Sequence, residues 1–407
     1  MRITFLGDIM GEPSTVKAAK QKDGTYNFDY VFKNVQPILN ESDYIIGNLE
    51  TPLATPEMTY STDFADFGVP DSYVDALQKA GINLISTANN HSFDRKQEGL
   101  VHTIEVLDEK GMPHTGTFLP GQPRQEAYYF ELQGVKFALV AYTYSTNFKA
   151  SGKYCKLEGE YAHSVNMLRP QEETVFLPSS VTRPGGPHWI DKYCKKFLSY
   201  DMRGRIKRVF GVPHSYPRID NNLNVETMAP YVEQFQSDIR KAKENADVVI
   251  FYPHTGGQFE PNPGTFTEYV VQKAVEAGAD MVIAGHAHVV QKAVVQDGVL
   301  RAYSLGNHNM DPHSGLIVPE SYPGCGLALH LHMDGKKLQK VTFNILVTEK
   351  ISKDTVAWPV DKLYATKTTA KDKKNLEKTA RWVYETITRT KLEGDVIRGE
   401  YTLWEAK

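Results

Sequence analysis

The chain has 407 residues, enough for a large core as one elaborate domain or two, and its 41% hydrophobic and 23% charged content is that of an ordinary globular protein. Net charge is −3, from 46 basic against 49 acidic residues, which gives no electrostatic basis for a nucleic-acid partner. The three cysteines, Cys155, Cys194 and Cys325, are widely spaced and outside any CxxC motif; they support neither a disulfide framework nor a zinc ribbon and fit a reducing compartment. A strand begins at the second residue with no charged n-region or apolar h-region before it, and no apolar run approaches the roughly 20 residues of a membrane span. The chain as given therefore reads as cytoplasmic, with no membrane segment.

Residues 3–6 are a first buried strand, with Asp8 just past its end; residues 43–50 repeat the arrangement of apolar run, glycine and polar groups, ending in Asn48 and Glu50. The spacing of Val74, Leu77 and Ala80 predicts a helix over 72–80, stopped by Gly81. A third strand over 82–88 delivers Asn89, Asn90 and His91, and a helix follows over 96–110 with Leu100, Ile104 and Leu107 at helical spacing. Strands over 127–132 and 135–142 flank Gln133-Gly134, a two-residue hairpin connection that puts an antiparallel portion into the sheet. Residues 145–224 then lose sustained periodicity and read as an insertion with structure of its own, because so long a bare loop is uncommon in a compact domain.

Order returns with a helix over 231–245 and a buried strand over 247–254 that ends in His254. A helix over 265–277 is stopped by Gly278, and the apolar run Met281-Val282-Ile283-Ala284 leads into Gly285-His286-Ala287-His288. On an extended chain residues i and i+2 point to one side, so both imidazoles can reach one site, with Gly285 allowing a tight turn. A strand over 298–305 ends in Gly306-Asn307, and strands over 325–333 and 338–347 flank a turn opened by Asp334-Gly335. The charged tail from about 366 reads as a surface helix packing Trp382 and Ile387 on the body. The division this implies is a body over 1–350 interrupted at 145–224, and a helical extension over 351–407.

Asp8, Asn48, Glu50, Asn90, His91, His254, His286, His288 and Asn307 thus follow six separate strands, at the ends where open α/β sheets place their ligands. Two carboxylates, three imidazoles and an amide oxygen form a mixed nitrogen and oxygen donor set suited to Mn, Fe, Zn or Ni. Read singly, Asp8 is a cap and Asn90 a turn residue. Asp94 and Arg95 read as a cap and a surface pair, and His163, His188, His214, His308 and His313 lack the strand-end context.

The ordered motifs resemble those of calcineurin-like metallophosphoesterases: Gly7-Asp8, Asn90-His91 after a strand, a lone His254, then Gly285-His286-Ala287-His288. They are more similar still to the capsule-synthesis CapA (poly-γ-glutamate synthesis) branch, through Gly7-Asp8-Ile9-Met10, Asn48-Leu49-Glu50-Thr51-Pro52-Leu53, Ala88-Asn89-Asn90-His91, Gly285-His286-Ala287-His288-Val289-Val290-Gln291 and Tyr303-Ser304-Leu305-Gly306-Asn307. The match covers about 1–145 and 230–310. The resemblance implies a four-layer α/β/β/α metallophosphatase-like sandwich of mixed sheets with a metal site at one edge. It departs from the phosphoesterase pattern where Met10 replaces the histidine of Asp-x-His, where Asn48 and Glu50 replace a bridging Asp, and in His254-Thr255-Gly256. That leaves one well-formed metal site from Asn90, His254 and His286 with Glu50, and a second from Asp8, His288 and Glu50, for one or two divalent ions. His91, beside the ligand Asn90, is assigned as general acid, and Asn48 and Asn307 as groups that orient ligands or bind substrate oxygens.

The function so implied is a metal-dependent hydrolase of an anionic small molecule or polymer, a phosphoester or a γ-glutamyl amide, linked to capsule metabolism. The alternative is a non-enzymatic scaffold with a relic site. The insertion is expected either to cap the strand ends with Arg183, His188, His214 and Arg218 or to serve as a peripheral decoration or dimer contact. The sequence leaves the oligomeric state open.

Overall fold

The computed structural model describes residues 1–62, 66–150, 153–171, 197, 220–312, 321–351 and 354–406. Alternation along its central strands decides the architecture. In strand β1 (Arg2–Met10), Ile3 and Phe5 face one way while Leu6 and Ile9 face the other, and the two sets belong to different cores. Strand β2 (Tyr44–Glu50) lies parallel to β1, followed by β3 (Leu84–Ser86) and β4 (His114–Thr115). The same division recurs in β6 (Val135–Thr143), which pairs with β5 (Tyr128–Leu132): Phe137 and Leu139 point inward, Ala138 and Val140 outward. The β5–β6 turn is Gln133-Gly134 with φ +52° and +77°, the left-handed pair that a tight hairpin needs.

A short hairpin, β7 (Lys149–Ala150) and β8 (Lys153–Tyr154), precedes β9 (Val248–Thr255), β10 (Met281–Ile283) and β11 (Gly285–His286). Strands β12 (Ala293–Gln296) and β13 (Val299–Ala302) form a further hairpin. The expected strand over 298–305 is therefore shorter, because Leu305 leaves the ladder for a bridge with Val290 and Gly306 turns at φ +69°. Strands β14 (Cys325–Asp334) and β15 (Lys337–Ile351) are a long antiparallel pair. The tail is not purely helical: β16 (Asp354–Pro359) and β17 (Tyr401–Glu405) both pair with β15, around the helices Val360–Thr366 and Ala370–Thr388.

The result is an α/β protein with two mixed sheets, ordered β16-β15-β14-β1-β2-β3-β4 with β17 beside β15, and β12-β13-β10-β9-β6-β5 with β11 beside β9. Their inner faces share one core, in which Phe5 meets Tyr252 at 5.6 Å between ring centres and Tyr44 stacks on Phe130 at 4.2 Å. Helices Ser72–Lys79 and Lys96–Glu109 pack Val74, Leu77 and Leu107 on the outer face of the first sheet. Helices Val225–Asn245 and Thr265–Glu276 pack Phe235, Ile239, Val270 and Ala274 on the outer face of the second. The tail helix sets Ala380, Val383 and Ile387 into the shared core, with Trp382 half-buried beside it. Because β1, β2 and β3 run parallel in one sheet and β6, β9 and β10 in the other, the carboxyl ends of these strands bring polar residues together.

Candidate metal centre

Asp8 sits within β1 rather than past its end: the register with β2 shifts between Phe5 and Asp8, and the strand continues to Met10. Gly7 permits this bulge, since a Cβ there would stand 2.4 Å from the Gly306 carbonyl oxygen. The carboxylate of Asp8 then fills the space over Gly285, where a Cβ would meet Asp8 Oδ1 at 2.7 Å, and Asp8 Oδ2 accepts from the His286 backbone N–H at 3.0 Å. Close approach, rather than a turn conformation, is what requires glycine at 285. The extended geometry expected for His286 and His288 is also corrected. Both residues have positive φ, +88° and +54°, and reach one site through left-handed backbone with rings 5.7 Å apart. Such conformations cost of order 1–3 kcal/mol each and persist where the surroundings over-determine them.

All nine residues at the strand ends are buried, none more than 5% exposed. Three donor atoms converge on His254 Nε2: Asn90 Oδ1 at 2.9 Å, Glu50 Oε1 at 3.2 Å and His286 Nδ1 at 3.2 Å. Ligand atoms bonded to one ion at about 2.0–2.2 Å stand roughly 3.0–3.4 Å from one another, close to the distances of these three atoms from His254 Nε2. A second group, Asp8, Glu50 and His288, shares Glu50 with the first, and its donor atoms all lie within 4.8 Å of one another. His288 Nε2 stands 3.6 Å from Glu50 Oε1.

Electrostatics and unmet hydrogen bonds test whether this set suits a cation. Neither Glu50 oxygen has a hydrogen-bond partner, nor has His286 Nε2, although all three atoms are buried. Burial, then the charge of Asp8, pushes the Glu50 carboxyl up to about 8. Burial holds His254 down to about 4, and lowers His286 and His288 as well, so the rings keep their lone pairs at neutral pH. Buried carboxylates that lack a counter-charge, beside neutral imidazoles, are the donor chemistry of a divalent ion. The residues fit such a group.

Asn307 fixes the tautomer of His288. Its Nδ2 donates to the His288 and Pro323 carbonyls at 2.9 Å each, so its Oδ1 accepts from His288 Nδ1 at 2.8 Å and leaves Nε2 facing Glu50. Asn48 donates from Nδ2 to Asp8 Oδ1 at 2.8 Å, lies 3.2 Å from His254 Nδ1, and accepts from Asn89 Nδ2 at 3.1 Å. Met10 packs in an apolar cluster with Phe67, Phe259, Ala287, Val289 and Met310.

His91 faces Asp94, with Nδ1 2.5 Å from Asp94 Oδ2, and stacks on Phe67 at 4.1 Å. Burial alone would disfavour the charged ring; the charge and hydrogen bond of Asp94 overcome it, and the pKa of His91 is raised. Asp94 is therefore a buried partner, not a helix cap, and it also accepts from the Phe67 N–H at 2.8 Å. Arg95 is likewise buried and pairs with Asp66. Reading the sequence missed Asn147, whose Nδ2 donates to Asp94 Oδ1 at 2.8 Å, and Tyr144, whose ring lies 4.5 Å from His286. The one signal for both was their place at the end of β6, the same position that marks the other donors.

Among the remaining histidines, His163 is exposed and His308 is buried against Phe32 at 4.8 Å, held down to about 4 by burial. Arg183, His188, His214, Arg218 and His313, with most of the expected cap, lie outside the described residues. No helix among the described residues is long and apolar enough to cross a membrane.

Comparison with known proteins agrees with the motif order. The chain is 23% identical over 316 residues to the capsule biosynthesis protein CapA of Bacillus anthracis, covering 76% of this chain and 60% of that protein. It is 22% identical over 313 residues to the PGA biosynthesis protein CapA of Bacillus subtilis (strain 168), covering 76% of this chain and 63% of that one. It thus spans about three-fifths of the length of these relatives. A crystal structure of a hypothetical protein from Thermus thermophilus superposes with a TM-score of 0.43 at 14% identity, over 85% of this chain and 98% of that one. The family described as bacterial capsule synthesis protein PGA_cap matches residues 2–311, well over half of the chain, and the chain belongs to that family.

Proposed function

We propose that this chain is a metal-dependent hydrolase linked to capsule or poly-γ-glutamate metabolism, with a four-layer α/β/β/α sandwich of the metallophosphatase type as its frame. The observation that carries the reading is the convergence of Glu50, Asn90 and His286 on His254 Nε2, with buried donor atoms left unmet. Asn90, His254, His286 and Glu50 would hold one ion, and Asp8, His288 and Glu50 a second. Such an ion supplies Lewis acidity and a water of lowered pKa.

The protein's own groups do the rest. Asn307 orients His288 and Asn48 orients Asp8, since Asn307 bonds His288 and backbone carbonyls while Asn48 bonds Asp8 and Asn89. Asp94 accepts a hydrogen bond from the Nδ1–H of His91, which leaves Nε2 as the atom that exchanges a proton. His91 then delivers that proton to a departing oxygen or nitrogen, as a general acid. The substrate class this chemistry serves is a phosphoester or a γ-glutamyl amide.

The test is turnover by the full chain of p-nitrophenyl phosphate, bis-p-nitrophenyl phosphate and γ-glutamyl-p-nitroanilide. At least one should be hydrolysed, the activity should vanish with a chelator, and Mn²⁺ or Zn²⁺ should restore it. A protein that takes up metal and hydrolyses none of the three classes would be the scaffold instead.

A further inference from the structure

Asn147 stands at a junction that the metal ligands alone do not explain. It is buried, 6% exposed, in the segment that follows β6. Its backbone N–H donates to the Asn90 carbonyl at 2.6 Å, its Oδ1 accepts from Asn90 Nδ2 at 3.2 Å, and its Nδ2 donates to Asp94 Oδ1 at 2.8 Å. Nδ2 also lies 3.1 Å from His91 Nδ1, a packing contact when that nitrogen carries the proton shared with Asp94.

We infer that Asn147 is a positioning residue that transmits the polarity of Asp94 to Asn90, and so decides which end of the Asn90 amide faces the metal position. The inference rests on the metal-dependent reading of the site. Both oxygens of Asp94 act as acceptors, Oδ2 from the Phe67 N–H and Oδ1 from Asn147, so Asp94 draws the nitrogen end of the Asn147 amide. That choice turns Asn147 Oδ1 toward Asn90, which must then present its own nitrogen there. The oxygen of Asn90 is thereby aimed at His254 Nε2, at 2.9 Å, where a cation needs a lone pair. An amide has two ends of nearly equal size, and packing alone discriminates poorly between them. One carboxylate therefore sets two features: the tautomer of His91 directly, and the ligating end of Asn90 through Asn147.

Two substitutions separate the two arms of this junction. Asn147→Leu removes both and frees the Asn90 amide to flip. Asn147→Asp keeps an acceptor for Asn90 Nδ2 but replaces the donor to Asp94 with a second carboxylate. In a Mn²⁺ titration of the full chain, followed by dialysis and metal analysis, Asn147→Leu should weaken affinity by about 10–100-fold. Asn147→Asp should stay within about threefold of the unaltered chain while lowering kcat by about 10–100-fold at unchanged KM, on whichever chromogenic ester or amide is turned over.

A purely structural role would lower metal affinity in both variants alike, and that result overturns the inference. Two variants that both match the unaltered chain overturn it as well, and leave the metal reading standing. An unaltered chain that takes up no Mn²⁺ overturns both. Should Asn147→Leu fail to fold by circular dichroism, Asn147→Asp decides alone: kept affinity with reduced kcat supports the role, lost affinity rejects it.

Discussion

Glu50→Gln should lower divalent-metal affinity by about 100-fold or more, above the 10–100-fold typical of outer positions, and abolish metal-dependent turnover. Glu50 is the one group common to both donor clusters, so its loss affects either ion. The same substitution should leave the metal-free protein at least as stable. Glutamine has nearly the same shape, and it carries no charge into a site where burial and Asp8 already push the carboxyl up to about 8. The sign follows from linkage: a carboxyl whose folded pKa lies above its unfolded value binds more protons in the native state, so its contribution is full at low pH and is lost as pH rises through about 8. Metal-free wild-type protein should therefore lose melting temperature relative to Glu50→Gln between pH 6 and pH 9. Added Mn²⁺ should raise the wild-type melting temperature and leave the variant unmoved. A variant that binds metal like the parent would remove Glu50 from the ligand set.

His91→Asn should leave metal content and folding intact and reduce turnover by roughly 10²–10⁴-fold. The ring is held by Asp94 on one nitrogen and by Phe67 across its face, and neither contact belongs to the donor clusters. Its raised pKa keeps a proton available near neutral pH, as a general acid requires. The loss should shrink for good leaving groups, which depart with little protonation. Comparing p-nitrophenyl with phenyl and alkyl esters reads this directly, and an equal loss across the series removes the general-acid role. His286→Asn provides the contrast, because it should lower metal content and turnover together.

Much of the site was legible because each donor follows an apolar run of strand length. Ile3 to Leu6, Tyr44 to Ile46, Val248 to Tyr252 and Met281 to Ile283 are buried by pattern, and the polar residues that follow them must emerge at one edge. What escaped was set by tertiary contact. Asp94 lies three residues after His91 in a turn, where a short acidic side chain reads as a cap; its burial depends on Asn147, 53 residues away, and on the Phe67 N–H. The left-handed backbone of His286 and His288 is not a propensity of histidine. It accompanies the Asp8 carboxylate seated over Gly285, and position 8 says nothing of that by itself. Strand β16 was missed because Asp354-Thr355-Val356-Ala357-Trp358-Pro359 alternates too weakly to signal a strand, and exists by pairing with the far end of β15. Strand β17 is a five-residue run that pairs with the near end of β15.

The most direct test of the metal centre is an inventory, by inductively coupled plasma mass spectrometry, of the chain purified without added metal. One to two equivalents of a transition metal per chain, Mn, Fe, Zn or Ni, are expected, with a marked loss in His286→Asn and Glu50→Gln and no loss in His91→Asn. A wild-type chain that carries no divalent metal and binds none at micromolar concentration would contradict it, and would leave the buried donors as the relic of a scaffold.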